Sequence, residues 1–590
     1  MIGTSFYLTS QNNRRRLDKS ILKKESWHSL KQVVESGDCD FCYSFHPDYP
    51  IRSWIENGCV IVLEGAIYNH SEDEVTSELN ELALHLSSDK NEKQLNSIRS
   101  FVNGADGDFL VTMYCERKKT VIAFNDILGG MSAYYCNARG EFYLSRSLSY
   151  ISCNQPEMKL SRLNMSEYVV WGFNLGDHTV FEDIKKLKPA TCLFVRLDKE
   201  QNLVEEKETT EHIFSVNNRY KNKREAIRDI TRIYLEGCKN RVNYALDHVY
   251  EVVNTMSGGF DSRTVAGGVE LLNIEYINLT GEYKQDESAV ALKVLKHIDS
   301  KSTFLKMKFE NVPNIGDSLI AFKTDGKIDA HTNSVCYNDL QYEKEYFKGK
   351  RIALFGGFGG EYIRHPWRVN FLPIVQWGNA NNPPSKLVAG FFRNKSNELN
   401  CLFSDSFSRV RKQGREAQIK YFYNEYYQNL VRCSGEERNR MFFYSVQPLM
   451  TTPFILAIRN RIPLNWVGFR FYRDFLKEIN PKLVKIEIYG KAVDIKSEKS
   501  LFFKDLEQKT NFKTYARFIR NTLPGLNRRT IKPFVDINLV GEFYKKISYK
   551  EDFDIEYIKN VWTMLGANAQ LRLLTLLEYI YECERRRTEK

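Results

Sequence analysis

The chain has 590 residues, 42% hydrophobic and 27% charged, with a formal net charge of +11. That length suffices for two domains, each burying a full core, and the composition is that of a globular protein, which excludes a disordered chain. No apolar run approaches the roughly 20 residues that span a bilayer, so no membrane partner is expected. The opening stretch Met1–Ser10 turns polar within a few residues and Arg14, Arg15 and Arg16 follow it. A signal peptide has the opposite order, so a cytoplasmic chain with reduced thiols is expected. The twelve cysteines are scattered singly except for Cys39 and Cys42, and one such pair is weak support for a metal or redox site. Basic residues fall in short, dispersed runs, which suits solvated faces and long-range attraction of an anionic ligand better than a nucleic-acid surface.

In chain order, residues up to about 200 carry short alternating apolar runs such as Cys59–Leu63 and Phe109–Tyr114. These predict a β-rich, two-layer domain. From about residue 220, helical patterns alternate with short apolar strands, which predicts a parallel sheet flanked by helices. His248–Met256 reads as a strand and Arg263–Leu272 as a helix. Tyr276–Gly281 is a second strand, and Gln285-Asp286-Glu287 opens a further helix, where acidic residues suit the positive end. Arg351–Phe355 is a third strand, followed by the glycine-rich Gly356–Glu361. Tyr421–Arg432 and Arg438–Leu449 are both aromatic-rich and read as helices. Ala569–Tyr581 has apolar positions at helical spacing, a stripe that belongs in a core.

Between the first strand and its helix lies Ser257-Gly258-Gly259-Phe260-Asp261-Ser262. Strand, glycine loop and helix together aim backbone N–H groups and a helix N-terminus at a phosphate. The string lacks the Gly-Lys-Ser/Thr of a Walker A loop. Asp261 would repel a bare phosphate, which predicts a bound cation. The loop resembles the S-G-G-x-D-S pyrophosphate loop of enzymes that cleave ATP to AMP and pyrophosphate. The Asp286-Glu287 helix start and the Gly356–Glu361 loop follow in the order found in the asparagine synthetase superfamily. Upstream, Asp177–Pro189 resembles that family's T-x-F-x-x-I-x-x-L-x-P connector. Leu63–His70 resembles the N-G-E-I-Y-N-H of its class II glutamine amidotransferase domain, and Phe124–Tyr135 resembles that domain's R-D-x-x-G-x-x-P-L-Y-Y hairpin. The superfamily includes asparagine synthetase B-like enzymes and the β-lactam-forming and lasso-peptide-cyclising ligases.

The resemblance implies an α/β and α+β chain. Residues 1–205 would be a degenerate glutamine amidotransferase-like domain with an Ntn-type, β-sandwich-like fold. Residues 220–495 would be a parallel-sheet α/β synthetase domain of the adenine nucleotide α-hydrolase-like kind, and 496–590 a mostly helical extension of it. It implies ATP and Mg²⁺ as cofactors. Ser257, Gly258, Gly259, Asp261, Ser262 and Gly357 would bind ATP, and Asp261 and Glu361 would hold the metal. A carboxylate substrate is activated as an acyl-adenylate and coupled to ammonia or an amine, with a precursor peptide among the candidate partners. Phe471–Pro481 and Tyr489–Val493 resemble the family's helix and lysine loop, which makes Lys491 the catalytic candidate and Lys485 its reserve. Arg470 and Arg473 could touch phosphate or pack on the helix face, and Arg263 could contact phosphate or pair with a nearby acid.

Several positions depart from the family. Glutaminases of this class need an N-terminal cysteine nucleophile, whereas residue 2 is Ile2. Glu64 stands at the oxyanion-hole asparagine, and Ala66 at the glutamate that clamps the substrate. Phe358 stands where relatives carry a proton-handling Asp, Glu or Tyr. The reading is an ATP-dependent, AMP-forming amide ligase without glutamine hydrolysis of its own. Its alternatives are a catalytically impaired ATP-binding or scaffold protein, and a tRNA-modifying enzyme with the same loop.

Overall fold

The computed structural model describes the chain except residues 11–14, 87–90, 175, 199–200, 211–218, 283–285, 310–315, 327–329, 365–389, 394–415, 417–419, 421–432, 489–493, 511–534, 566 and 590. Twelve strands make up the first part: β1 Gly3–Thr9, β2 Ser29–Glu35, β3 Cys39–Phe45, β4 Ile51–Glu56, β5 Cys59–Ile67, β6 Gly107–Cys115, β7 Thr120–Asn125, β8 Tyr134–Ala138, β9 Glu141–Ser145, β10 Ile184–Lys186, β11 Thr191–Asp198 and β12 Gln201–Glu208. They form two six-stranded antiparallel sheets, ordered β10-β8-β9-β1-β3-β2 and β12-β11-β7-β6-β5-β4.

The alternation of side chains along each strand explains how the sheets stack. Phe6 and Leu8 of β1 share one cluster with Val60, Val62, Leu110 and Tyr114 of the facing sheet. Tyr7, between them, belongs instead to a cluster with Tyr143, Tyr150 and Leu574. In β5, Ile61 and Leu63 face Leu79 and Val102 of the helices Glu72–Leu86 and Asn91–Gly104. The central strands of each sheet are therefore buried on both faces, and the expected sandwich carries helices on its outer sides.

Five strands follow: β13 Glu251–Thr255, β14 Ile277–Glu282, β15 Thr303–Lys308, β16 Ile352–Phe355 and β17 Tyr444–Val446. Every pairing is parallel, in the order β15-β14-β13-β16-β17. Val253 and Leu354 point into one apolar cluster and Val252 and Phe355 into another, as a sheet covered on both faces requires. The chain steps from β13 to β14 and β15, then returns to place β16 on the other side of β13. The crevice between the loops after β13 and β16 is a topological switch point, where open α/β sheets bind ligands.

Two expectations change. Arg438–Leu449 is not a helix: the helix Cys433–Arg440 ends there, and the buried Tyr444–Val446 supplies the edge strand β17. A short run of bulky residues fits strand and helix alike, and here pairing with β16 decides. The segment Phe124–Tyr135 is no hairpin, because β7 lies in one sheet and β8 in the other, so it crosses the sandwich. Cys39 and Cys42 lie on opposite faces of β3, in different clusters, and cannot hold one ion together. Tyr421–Arg432 lies outside the described residues. No described helix is long and apolar enough to cross a membrane.

The last helix, Ala567–Thr588, packs Leu571, Leu574 and Ile580 against residues of the first antiparallel sheet and of the helices Leu148–Asn154 and Arg162–Trp171. Arg587 donates to the carbonyls of Ser152 and Gln155. The two halves also meet through buried charge: Arg241 pairs with Asp106 at 2.7 Å, and Arg440 pairs with Asp108 at 2.9 Å.

Candidate functional site

β13 ends at Thr255, and the helix Phe260–Glu270 begins four residues after Met256. Between them the loop closes on its own hydroxyls. Ser257 N–H donates to Ser262 Oγ at 3.0 Å, Gly259 N–H donates to Ser257 Oγ at 3.2 Å, and the two hydroxyl oxygens are 2.9 Å apart. Gly258 N–H donates to Glu287 Oε2 at 2.8 Å, so a carboxylate occupies one of the donors that a phosphate would use. Asp286, beside it, accepts from Ser288 N–H and pairs with Lys306. These bonds hold its carboxyl at about 2.

The loop after β16 lies against this one. A Cβ on Gly357 would come within 2.8 Å of Ser262 N, and one on Gly360 within 2.0 Å of Asp261 Oδ1. Only glycine permits that approach. Gln447 orients the same loop by accepting from Phe358 N–H at 3.0 Å. Between the loops opens a cavity of about 460 Å³, lined by Ser257, Asp261, Ser262, Gly357, Phe358 and Glu361 and also by Leu279, Phe309 and Glu343. Most of the residues expected to bind ATP are thus brought together at one place.

The two expected metal ligands have other partners. Arg364, one turn after Glu361 on the helix Glu361–Arg364, donates from both terminal nitrogens to both oxygens of Asp261, each at 2.7 Å. The Tyr472 hydroxyl donates to Asp261 Oδ1 at 2.9 Å. Arg364 also lies 3.9 Å from Glu361. Burial and the nearby Asp261 raise the Glu361 carboxyl above its ordinary value. Asp261, doubly engaged by a guanidinium, is not a free ligand, and the described residues contain no cluster of three metal-ligating side chains. The arrangement does not fit a Mg²⁺ held by Asp261 and Glu361.

The arginines are structural. Arg263 spends all its donors on carbonyls, those of Gly258 and Gly259 in the loop itself and those of Leu483, Ile486 and Glu487, at 2.8 to 3.0 Å. Burial lowers its guanidinium to about 10. Arg470 pairs with Asp505, and Arg473 with Asp474 and Glu498, joining the helices Phe469–Ile479 and Glu498–Thr510. Lys485 is exposed and does not line the cavity. Lys491 lies outside the described residues. Arg364, Tyr472 and Glu343 were not singled out from sequence, although Arg364 falls one helical turn beyond Glu361, the spacing at which side chains meet.

In the first half, Glu64 is fully buried. It accepts from Thr4 N–H at 2.8 Å, from Arg146 Nε at 2.7 Å and from the Tyr49 hydroxyl. Arg146 in turn holds Glu437 at 2.6 Å. Ile2 packs against Tyr49 and Met131. The cavity beside Ala66, bounded by Tyr49, Tyr68, Asp108 and Arg440, has only about 10 Å³, room for about one water molecule.

The glutamine amidotransferase domain family matches residues 48–207. This segment is a glutamine amidotransferase-like domain. It contains β4 to β11 and all but the last residue of β12, Glu64 and Ala66 included. A comparison with curated proteins finds no match. Among solved structures, glutamine phosphoribosylpyrophosphate amidotransferase from B. subtilis, complexed with ADP and GMP, is 9% identical, with a TM-score of 0.22, over 60% of this chain and 75% of that one. That superposition is too loose to transfer fold or activity. The amidotransferase-like domain joins the parallel-sheet half through Asp106 and Asp108, both inside the matched segment.

Proposed function

We propose that the chain is an ATP-dependent, AMP-forming amide ligase of the asparagine synthetase type, in which the amidotransferase-like domain has kept its scaffold and supplies no ammonia. The reading rests on the loop Ser257–Ser262 meeting the loop Gly356–Glu361 across a 460 Å³ cavity at the switch point of the parallel sheet. A volume of that size matches small-ligand and cofactor sites. The Ser257 and Ser262 hydroxyls and the N-terminus of the helix Phe260–Glu270 would face the phosphates. Met256, Leu279, Phe309 and Phe358 would pack the apolar part of the ligand. A substrate carboxylate attacks the α-phosphorus, the bond to pyrophosphate breaks, and an amine then displaces AMP to give the amide.

Phe358 cannot move a proton. Glu343, which also lines the cavity, is the candidate for accepting one from the incoming amine. Burial, with Asp339 nearby and Arg438 opposing, lifts its carboxyl to about 8, so it holds a proton at neutral pH and serves as base through its ionised fraction, which grows as pH approaches 8. Lys491 remains the proposed donor to the charge that develops on phosphate. No step is routed through a metal at Asp261.

Calorimetric titration with ATP, followed by trapping of acyl-adenylates with hydroxylamine across a panel of acids, tests the reading. Ser257→Ala and Ser262→Ala should weaken ATP binding, and absence of ATP binding at millimolar concentration would defeat the proposal. A second reading, a nucleotide-binding scaffold without chemistry, is favoured by Glu287 seated on Gly258 N–H. Binding without AMP formation would select it.

A further inference from the structure

The guanidinium of Arg364 lies between the two carboxylates that would embrace a divalent ion. It bonds both oxygens of Asp261 at 2.7 Å and stands 3.9 Å from Glu361. Two aromatic rings frame it, Phe260 at 5.4 Å and Tyr472 at 5.5 Å. Tyr472 is fixed by Thr264, 2.8 Å away, and completes the shell of Asp261. The Arg364 side chain is 11% exposed. The close approach of Gly360 to Asp261 keeps the loop that carries Arg364 pressed onto the first loop.

A planar guanidinium satisfies a carboxylate at two points and cannot lose its proton. Mg²⁺ demands an octahedral oxygen shell at about 2.0–2.1 Å and keeps several waters. The two cannot occupy the same side of Asp261. We infer that Arg364 is the resident cation of this site and replaces a protein-held divalent ion at Asp261 and Glu361.

This deepens the ligase reading, whose loop it concerns. The negative charge of Asp261 is cancelled before any ligand arrives, so the loop can receive phosphate without a metal bridge to Asp261. A metal ion that accompanies ATP would be carried by ATP alone.

Titration with Mn²⁺, followed by electron paramagnetic resonance on the full chain, tests the inference without a substrate. Native protein and Asp261→Asn should bind Mn²⁺ equally poorly. Arg364→Met should gain a site about tenfold tighter or more, and the double variant with Asp261→Asn should lose it. Arg364→Lys keeps the charge and should gain none. Native binding that falls about tenfold in Asp261→Asn would overturn the inference, as would a folded Arg364→Met without a new site. If Arg364→Met fails to fold, native protein against Asp261→Asn still decides. An ATP titration with EDTA or with excess Mg²⁺ separates the two readings. ATP binding that needs both Mg²⁺ and Asp261 defeats the inference and keeps the ligase. Absence of ATP binding, with native protein and Asp261→Asn equally poor in Mn²⁺, defeats the ligase and supports the inference.

Discussion

Arg146 of the amidotransferase-like domain holds Glu437, 291 residues later, through one nitrogen to both carboxylate oxygens, with neither side chain more than 2% exposed. The same guanidinium bonds Glu64 through Nε. Two carboxylates thus share one buried cation across the junction of the two halves. Removing Arg146 leaves Glu64 without its counter-charge and Glu437 with Arg440, at 3.4 Å, and breaking such a buried pair costs about 3–5 kcal/mol. Arg146→Met should therefore lower the resistance of the whole chain to pulse proteolysis in urea. Arg139→Gln, which breaks an exposed pair with Glu157, should cost under about 1 kcal/mol. Equal losses in the two variants would refute the ranking.

Arg263 ties the phosphate loop to the segment Leu483–Glu487 with a full set of donors. Lysine offers a point charge in place of the planar fork. Arg263→Lys should leave buried carbonyls without donors, each costing about 1–3 kcal/mol. It should also speed hydrogen exchange at Ser257–Ser262 and weaken ATP binding. Native exchange rates in the variant would show that the clamp is dispensable.

The amidotransferase-like domain should not hydrolyse glutamine. Ile2 offers no thiol, Glu64 is an acceptor spent on Tyr49, Thr4 and Arg146, and the cavity beside Ala66 holds about one water. Purified protein incubated with glutamine should release no glutamate above the rate of a boiled control. Release that disappears when a single cysteine is replaced would reverse this conclusion.

Stability should fall as pH rises from about 4.5 to about 8, in part because of Glu343. Its carboxyl is raised to about 8 in the folded chain, against 4.5 ordinarily. Between those values the native state binds the extra proton, so ∂ΔG/∂pH is negative. Below the lower value both states are protonated and the penalty vanishes. Glu343→Gln should flatten the fall in melting temperature across this window and leave it unchanged at pH 4. Glu578, also raised to about 8 by burial, should account for part of the slope that remains. An unaltered slope in Glu343→Gln would remove Glu343 from this role.

The sequence made the site's location legible because its signals are local. Two glycine loops each follow an apolar strand, and their resemblance to the family's loops points to Ser257–Ser262 and Glu361. It did not disclose what neutralises Asp261. Arg364 sits beside that carboxylate only because Gly357 and Gly360 let two loops touch, and Tyr472 arrives from a helix 211 residues further on. The strand at Tyr444–Val446 was read as helix for a similar reason. Three residues carry no period, and only the exposed edge of β16 makes them a strand. The crossing of Phe124–Tyr135 between sheets was hidden because one chain lists strands without saying which sheet each joins.

The helix Ala567–Thr588 has a temporal consequence. It covers an outer face of the sheet that begins at Gly3, and its leucines share a cluster with Tyr7 and Tyr143. During synthesis the first half of the chain leaves the ribosome long before its lid exists. Domains ordinarily fold as they emerge, but this sheet must wait with apolar surface uncovered until residue 588 has been made. Nascent chains stalled shortly before Ala567 should therefore depend on a chaperone, and those extended past Thr588 should be released from it.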